Sequence, residues 1–446
     1  MSLLHRLNPF AGLPNPRAVW AWGMYDLAHQ SFTLLITTIY YAIYFKNVVV
    51  GDESRGTALW GYAFGIASVI IVLVSPLLGA MADFSGRKKA FLIGTGIGCT
   101  LFTCSLALTG PGTIWQGMTL YIIACVFYMA GDNFVAAFLP ELSTRETVGK
   151  ISAIGWTMGY VGALLCIPIS AVILLAMSDS SGPTRLAMQV LFAFAGLWFF
   201  ANMIPTMLFI KERKQPEPLP PGSTLLGVGF SRLWQSARQV GHFRQLAVYL
   251  LFFLIYSSGV QTFIVFIGAL AEKYLSDTML LVMTWCLAAV SGVAAFGAGV
   301  VQDRIGHKTT VVIALLVWLG TALAAAALPE HVNKGDPAPW FLWPLGIGMG
   351  IGLGAIGTAS RAMVGVMTPS HKTAEFFGLW GLSLKGAGAI GPPIFGLVSS
   401  MPSMGQRGAM FVVAGFFALG LVGMLFVRPE AGKRAAEESE RALARA

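Results

Sequence analysis

Residues Trp20 to Phe45 read WAWGMYDLAHQSFTLLITTIYYAIYF, an apolar run longer than the roughly 20 residues that cross a bilayer. It nevertheless carries Asp26 and His29. An aspartate at the centre of a membrane helix costs roughly 2.5 to 3.5 kcal/mol, which a partner or a wet cavity must offset. Asp26, His29, Gln30, Thr33, Thr37, Tyr40 and Tyr44 recur at three- and four-residue steps, so an α-helix places them on one stripe. That stripe is expected to line a polar cavity inside a helical bundle.

Outward from this stretch, 56% of the residues are hydrophobic and 11% are charged, against roughly a quarter charged in soluble domains. The composition is that of an all-α polytopic membrane protein. The net charge of +9 does not point to nucleic acid, because the basic residues lie in short loops between apolar runs, where orientation signals sit. Cys99, Cys104, Cys125, Cys166 and Cys286 are odd in number and lie within apolar runs, so no disulfide framework is implied. Arg6 and Arg17 precede the first span without a short cleavable apolar segment. The histidines show no metal-ligand spacing, and no cofactor is expected.

Twelve spans are expected, near 18–46, 57–83, 89–109, 114–140, 149–177, 185–210, 244–272, 278–301, 309–328, 339–368, 374–400 and 407–427. They form an N-terminal six-helix bundle (1–210), an inter-bundle loop (211–243) and a C-terminal six-helix bundle with a charged tail (244–446). With the N-terminus inside, most basic residues, among them Arg87, Lys88, Lys89, Lys211, Arg304, Lys308 and Arg428, fall in inner segments. Lys46, Arg55, Arg185, Lys273, Lys334 and Arg407 fall in outer ones. The bias places both termini in the cytoplasm; in a bacterium the membrane would be the inner one.

The halves repeat each other. GAMADFSGRKK, with Gly79, Asp83, Gly86 and Lys88, follows the second span, and GVVQDRIGHKT, with Gly299, Asp303, Gly306 and Lys308, follows the eighth. Gly159 and Gly162 in the fifth span are echoed by Gly388 and Gly391 in the eleventh. Internal duplication of this kind marks a secondary transporter.

The duplicated loop motif and the six-plus-six layout resemble the major facilitator superfamily, and one branch more closely. Tyr25-Asp26-x-Ala28, Leu139-Pro140-Glu141-Leu142, Gly155-x3-Gly159-Tyr160-x-Gly162, Ser360-Arg361, and Glu375-Phe376-Phe377-Gly378 with Lys385 and Gly391-Pro392 are similar to the vacuolar effluxer family, which includes autophagy-related amino-acid effluxers. Two positions depart from that pattern: Leu27-Ala28-His29 stands where the family has Trp-Ala-Asn, and Ala136 where it tends to carry Asn. The resemblance implies that Asp83 with Arg87 latches the bundles at the inner face. Its copy, Asp303, Arg304 and Lys308, would do the same from the other half.

Four charges sit inside spans: Asp26 and Asp132 in the first half, Arg361 and Lys385 in the second. In the superfamily the first, fourth, seventh and tenth helices line a central cavity, which implies that three of these four border it. Asp26 and Asp132 are the candidates for proton coupling. Tyr25, His29, Gln30, Asn133, Tyr256, Gln261, Arg361 and Lys385 are the candidates for solute binding, with Ser257 and Ser258 beside Tyr256. The expected function is alternating-access transport, by a monomer coupled to protons, of a small polar, carboxylate-bearing solute such as an amino acid or peptide. Multidrug efflux fits the basic pair Arg361 and Lys385 less well. An intramembrane aspartyl protease is suggested by Tyr25-Asp26 and Gly131-Asp132, but Met129 occupies a position needing glycine and no Pro-Ala-Leu follows. A sensing receptor on this frame would need an added signalling domain.

Overall fold

The structure is a computed structural model of the chain and describes residues 10, 13, 15–143, 147–179, 182–212, 224–328, 342–369 and 372–445. The spans are α1 (Pro16–Val50), α2 (Glu53–Ser85), α3 (Lys88–Ser105), α4 (Ile114–Ala137), α5 (Val148–Ala176) and α6 (Arg185–Phe209). After them come α7 (Arg244–Ala271), α8 (Asp277–Ile305), α9 (His307–Ala326), α10 (Leu342–Val366), α11 (Thr373–Ser399) and α12 (Gly405–Phe426). Eleven are long and apolar enough to cross a membrane. The remaining one, α11, has 27 residues; Lys385, Pro392, Pro393 and its glycines make it less apolar. The fold is all-α and polytopic.

Two stretches differ from expectation. Within 211–243, expected as loop, Leu225–His242 forms a helix, while residues 213–223 lie outside the described part. The charged tail is helical as well, over Pro429–Arg445, and Gly432 packs against Met367 at the end of α10.

α1 is not a uniform α-helix. Asn15 caps it, accepting from the Ala18 N–H at 3.4 Å, and Pro16 occupies the first turn, where its missing N–H costs nothing. From Ser31 to Ile39 the backbone is π-helical, returning to α-helix over Tyr40–Tyr44. The Thr38 hydroxyl donates to the Thr33 carbonyl five residues back, at 2.9 Å, which fits the i→i−5 register of a π-turn. A wider turn rotates every later side chain, so the expected stripe breaks. Asp26, Gln30 and Thr33 stay half-buried, whereas Thr37, Tyr40 and Tyr44 are buried. Tyr121 donates to Thr37 at 3.2 Å, Tyr40 meets Ser170 at 3.0 Å and Tyr44 donates to the Thr109 carbonyl at 3.1 Å. The polar wall therefore ends near Thr33.

The chain divides into two compact units, one of Met1–Gly51 with Leu73–Gly229 and the other of Asp52–Val72 with Phe230–Ala446. In the first unit, α1 packs on α5 and α6, and α3 packs on α4 and α6. Lipid gives helices no hydrophobic drive to associate, so close backbone approach and interhelical hydrogen bonds must supply it. Both are present around α1. Trp22 donates to the Val135 carbonyl at 2.7 Å, Thr206 to the Ala21 carbonyl at 2.6 Å and Ser31 to the Ala195 carbonyl at 2.9 Å. On the α5 side a Cβ on Gly162 would lie 2.5 Å from the Leu27 carbonyl oxygen.

In the second unit, α7 packs on α11 and α12, and α8 and α9 pack on α10. Gly391 of α11 lies against the Ser258 carbonyl of α7, so α11 meets α7 as α5 meets α1. The sequence echo of Gly162 and Gly391 thus has one physical cause, a backbone contact in each half. The N-terminal part of α2, up to Val72, is part of this second unit. There Gly61 and Gly65 abut Pro392 and Pro393, Gly388 abuts Ser68, a Cβ on Gly396 would lie 3.1 Å from the Ala58 Cα, and Glu53 pairs with Lys273.

Gly162→Ala tests the backbone contact. Alanine favours an open helix site over glycine by about 1 kcal/mol, but overpacking costs about 1 to 3 kcal/mol. Thermal unfolding in detergent is expected to show a lower midpoint for Gly162→Ala. Gly94→Ala, at a position with nothing within 4 Å, is expected to match or exceed the parent.

Candidate solute and coupling site

In the first unit the polar positions of α1 are held by what faces them. The Asp26 carboxylate lies over Gly155 of α5, where a Cβ would come within 2.5 Å of Oδ2, and the Gln30 amide lies over Gly159, 3.3 Å from the same construction. A Cβ at 155 would force the carboxylate and the Trp22 ring to shift. Tyr25 is fully buried, with its hydroxyl in a niche floored by Gly131 of α4 and Gly96 of α3. Asp26 follows Tyr25 in α1, and Asp132 follows Gly131 in α4. The structure thus gathers Tyr25, Asp26 and Asp132 into one locale.

His29, 4% exposed, sits among aromatic rings: Tyr25 and Tyr128 at 4.7 Å and Phe199 at 5.5 Å between centroids. Tyr128 shares a 2.8 Å hydrogen bond with Thr33. His29 is therefore a packed member of the bundle interior, while Asp26, Gln30 and Asp132 are half-buried. Asn133 donates to Ser75 at 2.8 Å, tying α4 to the C-terminal part of α2. That bond gives Asn133 a structural task.

In the second unit, Arg361 of α10 lays its guanidinium over Trp380 of α11, 5.4 Å from the ring centroid. Trp380 in turn stacks on Phe253 of α7 at 5.5 Å. A guanidinium over an indole face gains a cation–π contact that holds the charged group in the bundle. Lys385 lies further along α11 and is 9% exposed. Gln261 donates to the Leu384 carbonyl at 3.5 Å, joining α7 to α11 beside it. Tyr256 is fully buried; its hydroxyl is 3.0 Å from that of Tyr249, which donates to the Ser360 carbonyl at 3.3 Å. Tyr256 thus backs the helix that carries Arg361 rather than lining an open wall.

The loop motifs show why their glycines are required. Gly86 and Gly306 have φ of 60° and 91°, a region that L side chains adopt only with strain. Arg87, Asp303 and Arg304 are exposed, and the Asp83 side chain lies outside the described part. Lys308 donates to the Val427 carbonyl at 2.9 Å, satisfying an orphan acceptor at the end of α12. Lys88 pairs with Glu141 at 3.0 Å, their side chains 11% and 12% exposed. The motif turn is thereby pinned to the short helix after α4.

Sequence reading missed Trp380, Tyr128 and the Lys88–Glu141 pair. Trp380 and Tyr128 carry no charge and look like ordinary apolar-span aromatics. Lys88 and Glu141 were each legible as motif members, but their pairing depends on a separation of 53 residues that only the fold closes.

Removing one partner of a buried ion pair costs about 3 to 5 kcal/mol, whereas replacing both by apolar groups is often neutral. Glu141→Gln is accordingly expected to lower the unfolding midpoint in detergent strongly. Lys88→Met combined with Glu141→Leu is expected to recover most of the loss.

Comparison with known proteins agrees with this architecture. The family described as vacuole effluxer Atg22 like matches residues 49–437. The MFS-type transporter YxiO of Bacillus subtilis (strain 168) is 24% identical over 424 residues, covering 92% of this chain and 94% of its own. Autophagy-related protein 22-1 of Aspergillus clavatus is 26% identical, over 84% of this chain and 74% of its own. Among solved structures, the nucleoside transporter NupG aligns with a TM-score of 0.65 at 13% identity, covering 92% of this chain and 98% of its own. The inward-open xylose transporter XylE from E. coli aligns with a TM-score of 0.64 at 15% identity, covering 92% and 94%. These likenesses establish the major facilitator fold, and the family is one of transporters rather than enzymes, which removes the protease reading. The chain is a member of the vacuole effluxer Atg22-like family of major facilitator transporters.

Proposed function

We propose that this transporter moves a small carboxylate-bearing solute, of the amino-acid or short-peptide class, by alternating access coupled to protons. It works as a monomer of two bundles, 1–210 and 244–446 joined by 211–243, with both termini in the cytoplasm. The observation that carries the reading is the sorting of in-span charge. Acids Asp26 and Asp132 belong to the first half, while Arg361, over the Trp380 ring, and Lys385 belong to the second. An aromatic-backed guanidinium suits a carboxylate better than a lipophilic cation, which sets multidrug efflux aside.

Asp26 is the preferred proton carrier and Asp132 the second. Desolvation favours the neutral acid and a nearby cation favours the carboxylate, so an approaching or departing base would release or reload the proton. A thermal-shift screen of amino acids, dipeptides, nucleotides and sugar phosphates on purified protein comes first, to supply the solute. With it, Asp26→Asn is expected to abolish accumulation driven by a proton gradient while exchange in preloaded vesicles persists. Full gradient-driven accumulation would remove Asp26 from coupling, and loss of both activities would make it a binding residue.

The division of α2 supports motion as well. Its outer half packs with the second unit and its inner half with the first; since α2 belongs in sequence to the bundle 1–210, rearrangement of the bundles would draw its outer half away from α11. Pro76, which cannot donate an intrahelical bond, stands inside it. Cysteines at Ala58 and Gly396 fall within disulfide reach. The Ala58→Cys/Gly396→Cys variant is expected to lose transport when oxidised and to regain it when a membrane-impermeant reductant is added outside intact cells. Unaltered transport with the bridge formed would refute the moving seam, and failure of the external reductant would refute the orientation.

A further inference from the structure

The helix Leu225–His242 has no role in the transport reading, and three observations converge on it. The first is depth. A Cβ on Gly229 would lie 2.5 Å from the Pro76 carbonyl oxygen and 2.9 Å from its carbon, so the helix begins pressed onto the backbone of α2. The apolar run of α2 extends past Pro76 to Ala82 before Asp83 ends it. Six residues at about 1.5 Å each put Gly229 about 9 Å inside that border. Amphipathic interfacial helices bury their apolar face about 5 to 10 Å into the boundary between headgroups and acyl chains, which is the same layer. At its other end the helix turns at Phe243 directly into α7, so that end also starts at the edge of the apolar layer.

The second observation is the face. Gly227, Phe230, Ser231, Trp234, Gln235, Arg238 and Gly241 are exposed and recur at three- and four-residue steps. Phe230 and Trp234 are 43% and 71% exposed. Trp and Phe facing outward at that level suit the interface, where amphipathic rings settle. The third is charge. The helix contains Arg232 and Arg238 and no acidic residue; Lys211, Glu212, Arg213, Lys214 and Glu217 precede it, and Arg244 follows two residues after its end.

We propose that Leu225–His242 is an interfacial helix whose Phe230–Trp234–Arg238 face is seated in the headgroup layer of an anionic bilayer. The two aromatic rings enter the upper acyl region, and Arg238 reaches to a lipid phosphate with its aliphatic stem along the apolar border. The bundle linker is thereby a lipid-held strap rather than a free tether, and its seating depends on headgroup charge.

The test uses the full-length protein with its five native cysteines replaced, Trp234→Cys labelled with an environment-sensitive fluorophore, and nanodiscs of two compositions. One is phosphatidylcholine alone, the other equal parts phosphatidylcholine and phosphatidylglycerol, each with and without lipids brominated near the headgroup. The expected result is blue-shifted emission quenched by the brominated lipid, most strongly with phosphatidylglycerol. A basic residue near an anionic surface contributes about 1 kcal/mol, so Arg238→Gln should move the seated-to-free ratio roughly fivefold toward free in the anionic discs, and not in the neutral ones. Water-like, unquenched emission in both lipids would overturn the proposal and leave the face to a soluble partner. Equal quenching in both lipids, unaffected by Arg238→Gln, would overturn its anionic part. Unfolding in detergent, which carries no headgroup charge, verifies that each variant is folded.

Discussion

The contact on which the first unit depends is the backbone approach of α5 to α1 across Gly155, Gly159 and Gly162. In lipid a helix pair gains little from burying apolar surface, since acyl chains are as apolar as leucine, so distance of approach decides the association. Gly162 lets α5 reach the Leu27 backbone. The same glycine row also leaves recesses one and two turns away, and those recesses hold the Asp26 carboxylate and the Gln30 amide. Packing and chemistry are thus set by one stripe: the residues that allow close approach also make room for a polar group that lipid would reject. The pairing of Gly391 in α11 with Ser258 in α7 repeats the backbone contact in the second unit. There the polar groups are basic.

The π-helical stretch of α1 is the second constraint. Had the α-register continued past Ser31, Thr37, Tyr40 and Tyr44 would have extended the polar wall begun by Asp26. Instead the register change turns them inward, where each finds a hydrogen-bond partner on or beside a neighbouring helix. The change therefore confines the half-buried polar groups to the Asp26–Thr33 segment. π-Turns are uncommon and are often found at functional sites, which agrees with the position of this one immediately after the acid.

In the second unit the charged groups are managed by aromatic and backbone partners. Trp380 supports Arg361 and is itself braced by Phe253, and the Tyr256–Tyr249–Ser360 chain secures the backbone beside Arg361. At the motif turns, Lys308 caps α12 and Lys88 meets Glu141. The last lysine of each motif copy is thus engaged within its own unit, while Arg87 beside the first turn and Asp303 and Arg304 in the last turn of α8 are exposed.

The spans, their limits to within a few residues, the duplication and the in-span charges were legible in the sequence. Hydropathy over about 20 residues, turn glycines and the cost of a charge in lipid are local properties that each segment carries alone. Gly86 and Gly306 could be marked in advance for the same reason, since a positive φ is demanded by the turn itself. What the tertiary structure decided is which polar group meets which. Asp26 over Gly155, Arg361 on Trp380 and Lys88 with Glu141 join segments distant in sequence, through helix rotations that hydrophobic periodicity does not encode. The π-register of α1 belongs with these, because Ser31 bonds to α6 and Thr37 to α4, contacts that only the assembled unit offers to a helix whose own sequence is compatible with an ordinary α-turn.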